Sequence, residues 1–180
     1  MTITRFAPSP TGSLHLGHVY AALFARDLAV KHGGIFLLRF EDIDTTRVRE
    51  HFYSETEQDL RWLDIQWSGT ALRQTSRFAV YQQALERLKE LGVVYPCFRP
   101  RKYLPRGPSK IPRAPHGPDG PLYPATCKGL GAEDISTKIA LGEEPCWRLD
   151  AEKAQQLTGE LTFKDARYGE IPVQHQLLGD

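Results

Sequence analysis

A dense cluster of chain breakers, Pro8-Ser-Pro10-Thr-Gly12, stands between a run of strand character and a run of helical character. Two prolines and a glycine within five residues cannot lie inside a helix or a central strand, so this segment is a loop. Before it, residues 3–7 (Ile-Thr-Arg-Phe-Ala) read as a short buried strand. After it, Leu16, Val19, Tyr20, Leu23, Phe24 and Leu28 recur at helical spacing as one apolar stripe, and Gly33-Gly34 supplies the stop. Residues 35–40 (Ile-Phe-Leu-Leu-Arg-Phe) form an almost unbroken apolar run, the pattern expected of a strand buried on both faces. Two further helices are predicted over about 46–63 and 77–91. The latter carries Phe78, Tyr81, Leu85, Leu88 and Leu91 on one face, with Ser76 as its N-cap and Gly92 past its end. Strand, helix, strand, helix is the grammar of a parallel α/β sheet.

That grammar breaks after Tyr95-Pro96-Cys97. Residues 99–115 hold five prolines and six basic residues with no acidic residue, which excludes a helix or a central strand. The stretch reads as a solvated loop or linker, with a basic binding surface or locally altered sequence as the alternatives. Regular structure resumes in the strand-like runs Cys146-Trp-Arg-Leu149 and Leu161-Thr-Phe163. With 23 Lys+Arg against 22 Asp+Glu the chain is nearly neutral, which excludes whole-chain polybasic binding to nucleic acid but not a local patch. No apolar run approaches the roughly 20 residues a bilayer demands. Three cysteines argue against a disulfide scaffold, and the N-terminus shows no signal-peptide pattern, so the expectation is a soluble, cytoplasmic protein.

The chemistry-bearing residues gather in two places. Between the first strand and the first helix, His15, Gly17 and His18 fall at a helix N-terminus, where unpaired N–H groups and the helix dipole favour anions. Gly17 permits a flat ligand to approach the backbone, and His18, its protonated form disfavoured by the dipole, still donates one N–H. A metal chelate or a pair of plain surface histidines are the competing readings. At the end of the second strand, Glu41 is suited to accept hydrogen bonds from an ammonium, and Arg5 on the first strand to grip a carboxylate. Together they suit a free amino acid. The competing reading of Asp42 and Asp44 is that they cap the next helix, and for Asp44 the two readings weigh equally.

Arg-Phe-Ala-Pro-Ser-Pro-Thr-Gly, the His15-Leu-Gly17-His18 signature and Arg39-Phe-Glu41-Asp42-Ile-Asp44 together resemble the class I glutamyl-tRNA synthetase group. Gln74-Thr-Ser76-Arg77 and Gly92-Val-Val-Tyr-Pro-Cys97 continue the likeness. Within the group, Thr70-Ala-Leu-Arg-Gln74 and Gly120-Pro-Leu-Tyr123-Pro-Ala-Thr-Cys127-Lys128 resemble its short glutamyl-Q branch, which has no anticodon-binding domain.

The resemblance implies an α/β fold, the first half of a class I synthetase Rossmann-type parallel sheet, with an inserted acceptor-binding, zinc-region segment. Residues 1–95 would be the first half of the nucleotide-binding catalytic domain, 96–178 the insertion, and 179–180 the start of the return to the core. It implies that Arg5, Phe6, Ala7, Pro8, Ser9 and Glu41 bind L-glutamate, and that Thr11, His15, Gly17 and His18 bind ATP, with His15 and His18 as catalytic residues. The implied reaction is attack of the glutamate carboxylate on the α-phosphate of ATP with Mg²⁺, then glutamyl transfer to the queuosine base of tRNA(Asp), by a monomer. Two alternatives remain: an N-terminal piece of an ordinary glutamyl-tRNA synthetase, and a truncated, non-catalytic remnant that binds ligand or tRNA.

Two departures stand out. The family often binds zinc through Cys-x-Cys, Tyr and Cys, and here Cys97, Tyr123 and Cys127 match while Arg99 replaces the second cysteine. A guanidinium cannot ligate a metal, so the Zn²⁺ site is expected to be degraded, with Cys146 as a candidate recruit. The lysine loop of the family has no counterpart in place; Ser109-Lys110 and Ser136-Thr137-Lys138 are look-alikes at the wrong positions. The chain therefore reads as an N-terminal fragment with an exposed sheet edge and an uncovered core face.

Overall fold

The computed structural model describes residues 1–99, 116–117, 120–121 and 125–174. Tyr123, Ser109-Lys110 and most of the proline-rich stretch lie outside the described residues. The chain divides into two compact units, Met1–Gln82 and Gln83–Asp180.

In the first unit, β1 (Ile3–Phe6), β2 (Ile35–Phe40) and β3 (Leu72–Arg73) form a parallel sheet in the order β1-β2-β3. Helix α1 (Leu16–Lys31) joins the first two strands, and α2 (His51–Trp62) lies between the second and third. A 3-10 turn, Gln74–Arg77, then leads into α3 (Phe78–Glu90), which carries the chain across the division. The strand order advances in one direction, so two right-handed crossovers place both helices on the same face of the sheet. One core accordingly gathers Phe6, Phe36, Leu38 and Phe40 from the strands, Ala22 and Ala29 from α1, Tyr53 and Leu60 from α2, and Ile65.

This topology corrects two expectations. β2 is buried on one face only: Phe36, Leu38 and Phe40 are covered, while Leu37, beside Arg5 in register, is exposed. Only part of the apolar stripe foreseen for α1 meets the core: Leu23 packs against it, while Leu16, Tyr20 and Phe24 are 87%, 70% and 62% exposed. The helix instead turns its alanines inward. Ala22 and Ala29 are buried, and the Thr4 hydroxyl donates to the Ala25 carbonyl at 2.7 Å, an approach that small side chains permit. The turn into β2 is similarly close: the Ile35 amide bonds the Thr2 carbonyl at 2.8 Å, and any Cβ at Gly34 would collide with that carbonyl.

Three further boundaries differ. α2 starts at His51 rather than near 46, because Asp44 spends its carboxylate on a local turn. Its Oδ1 accepts from the Thr46 hydroxyl at 2.6 Å and the Thr46 amide at 3.2 Å. Ser76 does not cap α3 but donates to the Arg73 carbonyl at 2.7 Å within the 3-10 turn. The foreseen apolar face of α3 contributes no buried residue; Phe78, Leu88 and Leu91 are exposed.

In the second unit, β4 (Val94–Cys97) pairs antiparallel with β7 (Cys146–Leu149), where a strand was expected. Pro96 fits this ladder because it faces Trp147 at a position that asks for no backbone donor. Two-residue strands β5 (His116–Gly117) and β6 (Gly120–Pro121) pair with each other, and α4 (Ala132–Ala140) and α5 (Ala151–Thr158) follow. A hairpin of β8 (Thr162–Asp165) and β9 (Gly169–Pro172) closes the described chain. Buried Asp150 organises this unit. Its amide bonds the Val93 carbonyl at 2.7 Å, its carboxylate caps α5 through the Lys153 amide, and Lys128 pairs with it at 2.8 Å. Among the described residues no helix is long and apolar enough to cross a membrane.

Candidate active site

The carboxyl ends of β1, β2 and β3 open onto the three loops that carry the motif residues, the edge where parallel sheets bind ligands. Two backbone bonds knit the first two loops together. The Glu41 amide donates to the Pro8 carbonyl at 2.9 Å, and the Arg49 amide to the Pro10 carbonyl at 3.1 Å. Pro8 and Pro10 are buried, leaving Ser9 exposed at the tip. Phe6 and Pro8 thus serve as scaffold: the Phe6 ring is in the core and the Pro8 carbonyl is already paired. Thr11 is half-buried, and its amide bonds the Ser9 carbonyl at 2.8 Å; Ala7, also half-buried, joins β1 to the loop.

The N-terminus of α1 is capped by histidines rather than by the usual Ser, Thr or Asp. The Gly17 amide donates to His15 Nδ1 at 3.1 Å, and the His15 amide donates to His18 Nδ1 at 3.3 Å. With both Nδ1 atoms accepting, each neutral ring carries its proton on Nε2, and that N–H is left for a ligand. The rings stack with centroids 3.8 Å apart, and Phe6 meets His18 edge-on. Burial, and next the neighbouring His15, hold the His18 pKa below the ordinary histidine value, so near neutrality it is an uncharged donor. No acidic residue occupies the first turn, and the positive end of the helix dipole stays uncompensated. The space at Gly17 is claimed by His15, whose Cε1 and Nδ1 would lie 3.0 and 3.1 Å from an added Cβ. The close approach that demands glycine is therefore the capping ring itself.

Arg5 and Arg39 lie on the sheet face opposite the helices. Arg39 Nη2 pairs with Glu41 Oε1 at 2.8 Å, while its buried Nε has no hydrogen-bond partner. Glu41 is thus presented on a guanidinium beside the Pro8 loop. The sequence places Arg39 and Asp42 in the motif but shows no partner for either.

Asp42 is fully buried and ties the second loop to the third. It accepts from the Tyr53 hydroxyl at 2.7 Å, the Thr75 hydroxyl at 2.8 Å and the Thr75 amide at 2.9 Å. Burial opposes its charge, but the Tyr53 and Thr75 bonds outweigh that and hold its pKa below the usual aspartate value. Burial and the same carboxylate push Tyr53 up to about 12. Arg73 covers the Tyr53 ring at 3.7 Å and pairs with Glu50 through two bonds.

Of the zinc ligands foreseen in the sequence, the described residues bring two together. Cys97 and Cys127 share a small buried cluster with Tyr95, and Tyr123 lies outside the described residues. Among the described residues no group of three or more His, Cys, Asp or Glu could hold a metal. Arg99, at the place of the family's second cysteine, offers no metal-ligating atom in its side chain.

The sequence model of the family described as "tRNA synthetases class I (E and Q), catalytic domain" matches residues 1–180. This chain belongs to that family. Among curated class I synthetases of the family, the glutamyl-Q tRNA(Asp) synthetase of Rhodobacter capsulatus is 50% identical over 130 residues, which cover 72% of this chain and 47% of that protein. The protein of the same name from Symbiobacterium thermophilum is 40% identical over 158 residues, covering 82% and 48%. A glutamate–tRNA ligase of Coxiella burnetii is 37% identical across all of this chain and 39% of its own length. The chain thus spans about half the length of the curated relatives it matches, or less. In fold, it superposes on the crystal structure of a glutamate-tRNA synthetase from Elizabethkingia anophelis with a TM-score of 0.75. That match, at 24% identity, covers 99% of this chain and 38% of that one.

Proposed function

We propose that this chain supplies the glutamate- and ATP-binding loops of an enzyme that activates L-glutamate with ATP and Mg²⁺ and passes the glutamyl group to the queuosine base of tRNA(Asp). The observation that carries this reading is the joint of Glu41 to Pro8, which sets an ammonium acceptor beside the loop that leads to the histidine-capped helix. Arg5 holds the side-chain carboxylate of glutamate, and Glu41 takes its ammonium. The Nε2–H groups of His15 and His18, with the free N–H groups of α1, hold the phosphates and stabilise the charge that develops on the α-phosphate. Bound with ATP, Mg²⁺ would supply neutralisation of phosphate charge. No protein nucleophile takes part; positioning and fixed dipoles supply the acceleration. Residues 96–178 serve as the insertion that meets the acceptor tRNA.

The identities of 50% and 40% to two proteins named glutamyl-Q tRNA(Asp) synthetase favour queuosine as acceptor over the 3′ end of tRNA(Glu). Radiolabelled glutamate, ATP and the protein are incubated with tRNA(Asp) containing or lacking queuosine, and with tRNA(Glu). Label is expected only on the queuosine-containing tRNA(Asp). Label on the 3′ end of tRNA(Glu) instead would assign the ordinary synthetase reaction.

A further inference from the structure

All three cysteines lie in the second unit, and two of them face each other. Cys97 of β4 is directly opposite Cys146 of β7 in the antiparallel ladder. The bond from the Asp150 amide to the Val93 carbonyl marks that pair as a hydrogen-bonded position. Counting by twos, Tyr95–Arg148 and Cys97–Cys146 fall on hydrogen-bonded positions as well. Facing Cα atoms there are about 5.5 Å apart, inside the range a disulfide spans, while the facing Cβ atoms are at the wide end, about 5.5 Å, so that closure draws the strands together by about 1 Å. The Cys146 thiol donates to the Cys97 carbonyl at 3.2 Å, and burial together with the adjacent Cys97 thiol pushes the Cys146 pKa up. Accessibility is divided between them. Cys146 is exposed, whereas Cys97 is 1% exposed.

We propose that Cys97 and Cys146 form a reversible cross-strand disulfide by exchange with a low-molecular-weight disulfide, a modification site in the second unit. The exposed Cys146 thiol, once deprotonated in alkaline buffer, attacks one sulfur of the small disulfide, forming a mixed disulfide and expelling one small thiolate. Cys97 Sγ then attacks Cys146 Sγ, breaking the mixed bond, forming the internal one and expelling the second small thiolate. The two protons of the protein thiols end on the two small thiols, and two electrons pass from protein to the small disulfide. The buried member resolves what the exposed member captures. The bond joins residues 49 apart in sequence and so ties together both ends of the segment that contains residues 99–115.

The 180-residue chain is equilibrated with mixtures of reduced and oxidised glutathione, quenched with an alkylating agent, digested and mapped by mass spectrometry. The expected product has lost two hydrogens, carries a Cys97–Cys146 link with Cys127 alkylated, and reverts with excess dithiothreitol. Cys127→Ser retains the link. Because the second step is intramolecular, half-linkage takes at least about tenfold less oxidised glutathione than half-modification of Cys146 in Cys97→Ser. A Cys97–Cys127 link, or glutathione retained on Cys146 as the end product in the unsubstituted chain, would overturn the proposal; that mapping decides the matter even if Cys97→Ser fails to fold.

Discussion

Removing the Asp42 carboxylate tests the joint between the second and third loops. Three donors converge on it at 2.7–2.9 Å, and the residue is fully buried. A hydrogen bond to a charged group contributes about 1.5–3 kcal/mol, and an orphaned buried donor costs about 1–3 kcal/mol. These values do not add. Asp42→Ala strands the Tyr53 hydroxyl and the Thr75 amide together and is expected to cost about 3–5 kcal/mol. Asp42→Asn keeps one acceptor for the Thr75 amide and lets the hydroxyls rotate, so it is expected to cost about 1–2 kcal/mol. The pH dependence has a definite sign. The folded pKa lies below the unfolded one, so the carboxylate's contribution is complete above the unfolded value and is lost as pH falls through the folded value. Acidifying below about 3.9 should therefore narrow the gap between the unsubstituted chain and Asp42→Asn. Urea unfolding is followed by tryptophan emission in a Trp147→Phe background, so that Trp62 and Trp67 report on the first unit alone. An Asp42→Ala midpoint unchanged at pH 7, with the same slope, would refute the reasoning.

Other perturbations address the site itself. Glu41→Ala should raise the glutamate KM by about 10–100-fold, the worth of one charged contact, and leave the ATP KM nearly unchanged; steady-state exchange kinetics would show equal effects on both if Glu41 did not hold the amino acid. His18→Ala should lower kcat about 10²–10³-fold by removing a donor to the reacting phosphate. In the unsubstituted enzyme, the acid limb of the rate profile should fall below the ordinary histidine range, since the His18 pKa is lowered; unchanged turnover in the variant would count against the assignment. Gly17→Ala should push His15 off its cap and lower thermal stability measurably, by about 0.5–2 kcal/mol if the whole cap is lost, and calorimetry that found no change would place the ring elsewhere. Metal analysis of protein loaded with zinc and then dialysed against a chelator should find no stoichiometric metal, since Arg99 replaces a ligand; a firmly held zinc would contradict that reading.

The parts legible in the sequence were those written locally. Breakers at 8–12, a glycine pair at 33–34 and an apolar run at 35–40 define β1, α1 and β2 to within a residue or two. Periodicity alone could not tell which side of α1 meets the sheet. Tyr20 and Phe24 outweigh alanines on any hydropathy scale, yet Ala22 and Ala29 form the contact because their size lets the backbones approach. One-sided burial of β2 follows from strand order, a property of the whole unit. The role of Asp42 as a joint was not legible because its partners lie 11 and 33 residues away, and a carboxylate without visible partners reads as a cap. α4 and α5 went unforeseen because helices of nine and eight residues give too few turns for a periodic signal. The histidines, Gly17 and Glu41 were legible because their motifs are contiguous, while Arg39 emerged only once its ion pair with Glu41 was seen.

The most direct test of the central claim is ATP–pyrophosphate exchange measured with each amino acid in turn and without tRNA. The account predicts exchange that appears with L-glutamate, is weak or absent with glutamine and aspartate, and is lost in Glu41→Ala. Exchange that ignores the amino acid, or none with glutamate, would contradict the assignment of these loops to glutamate activation.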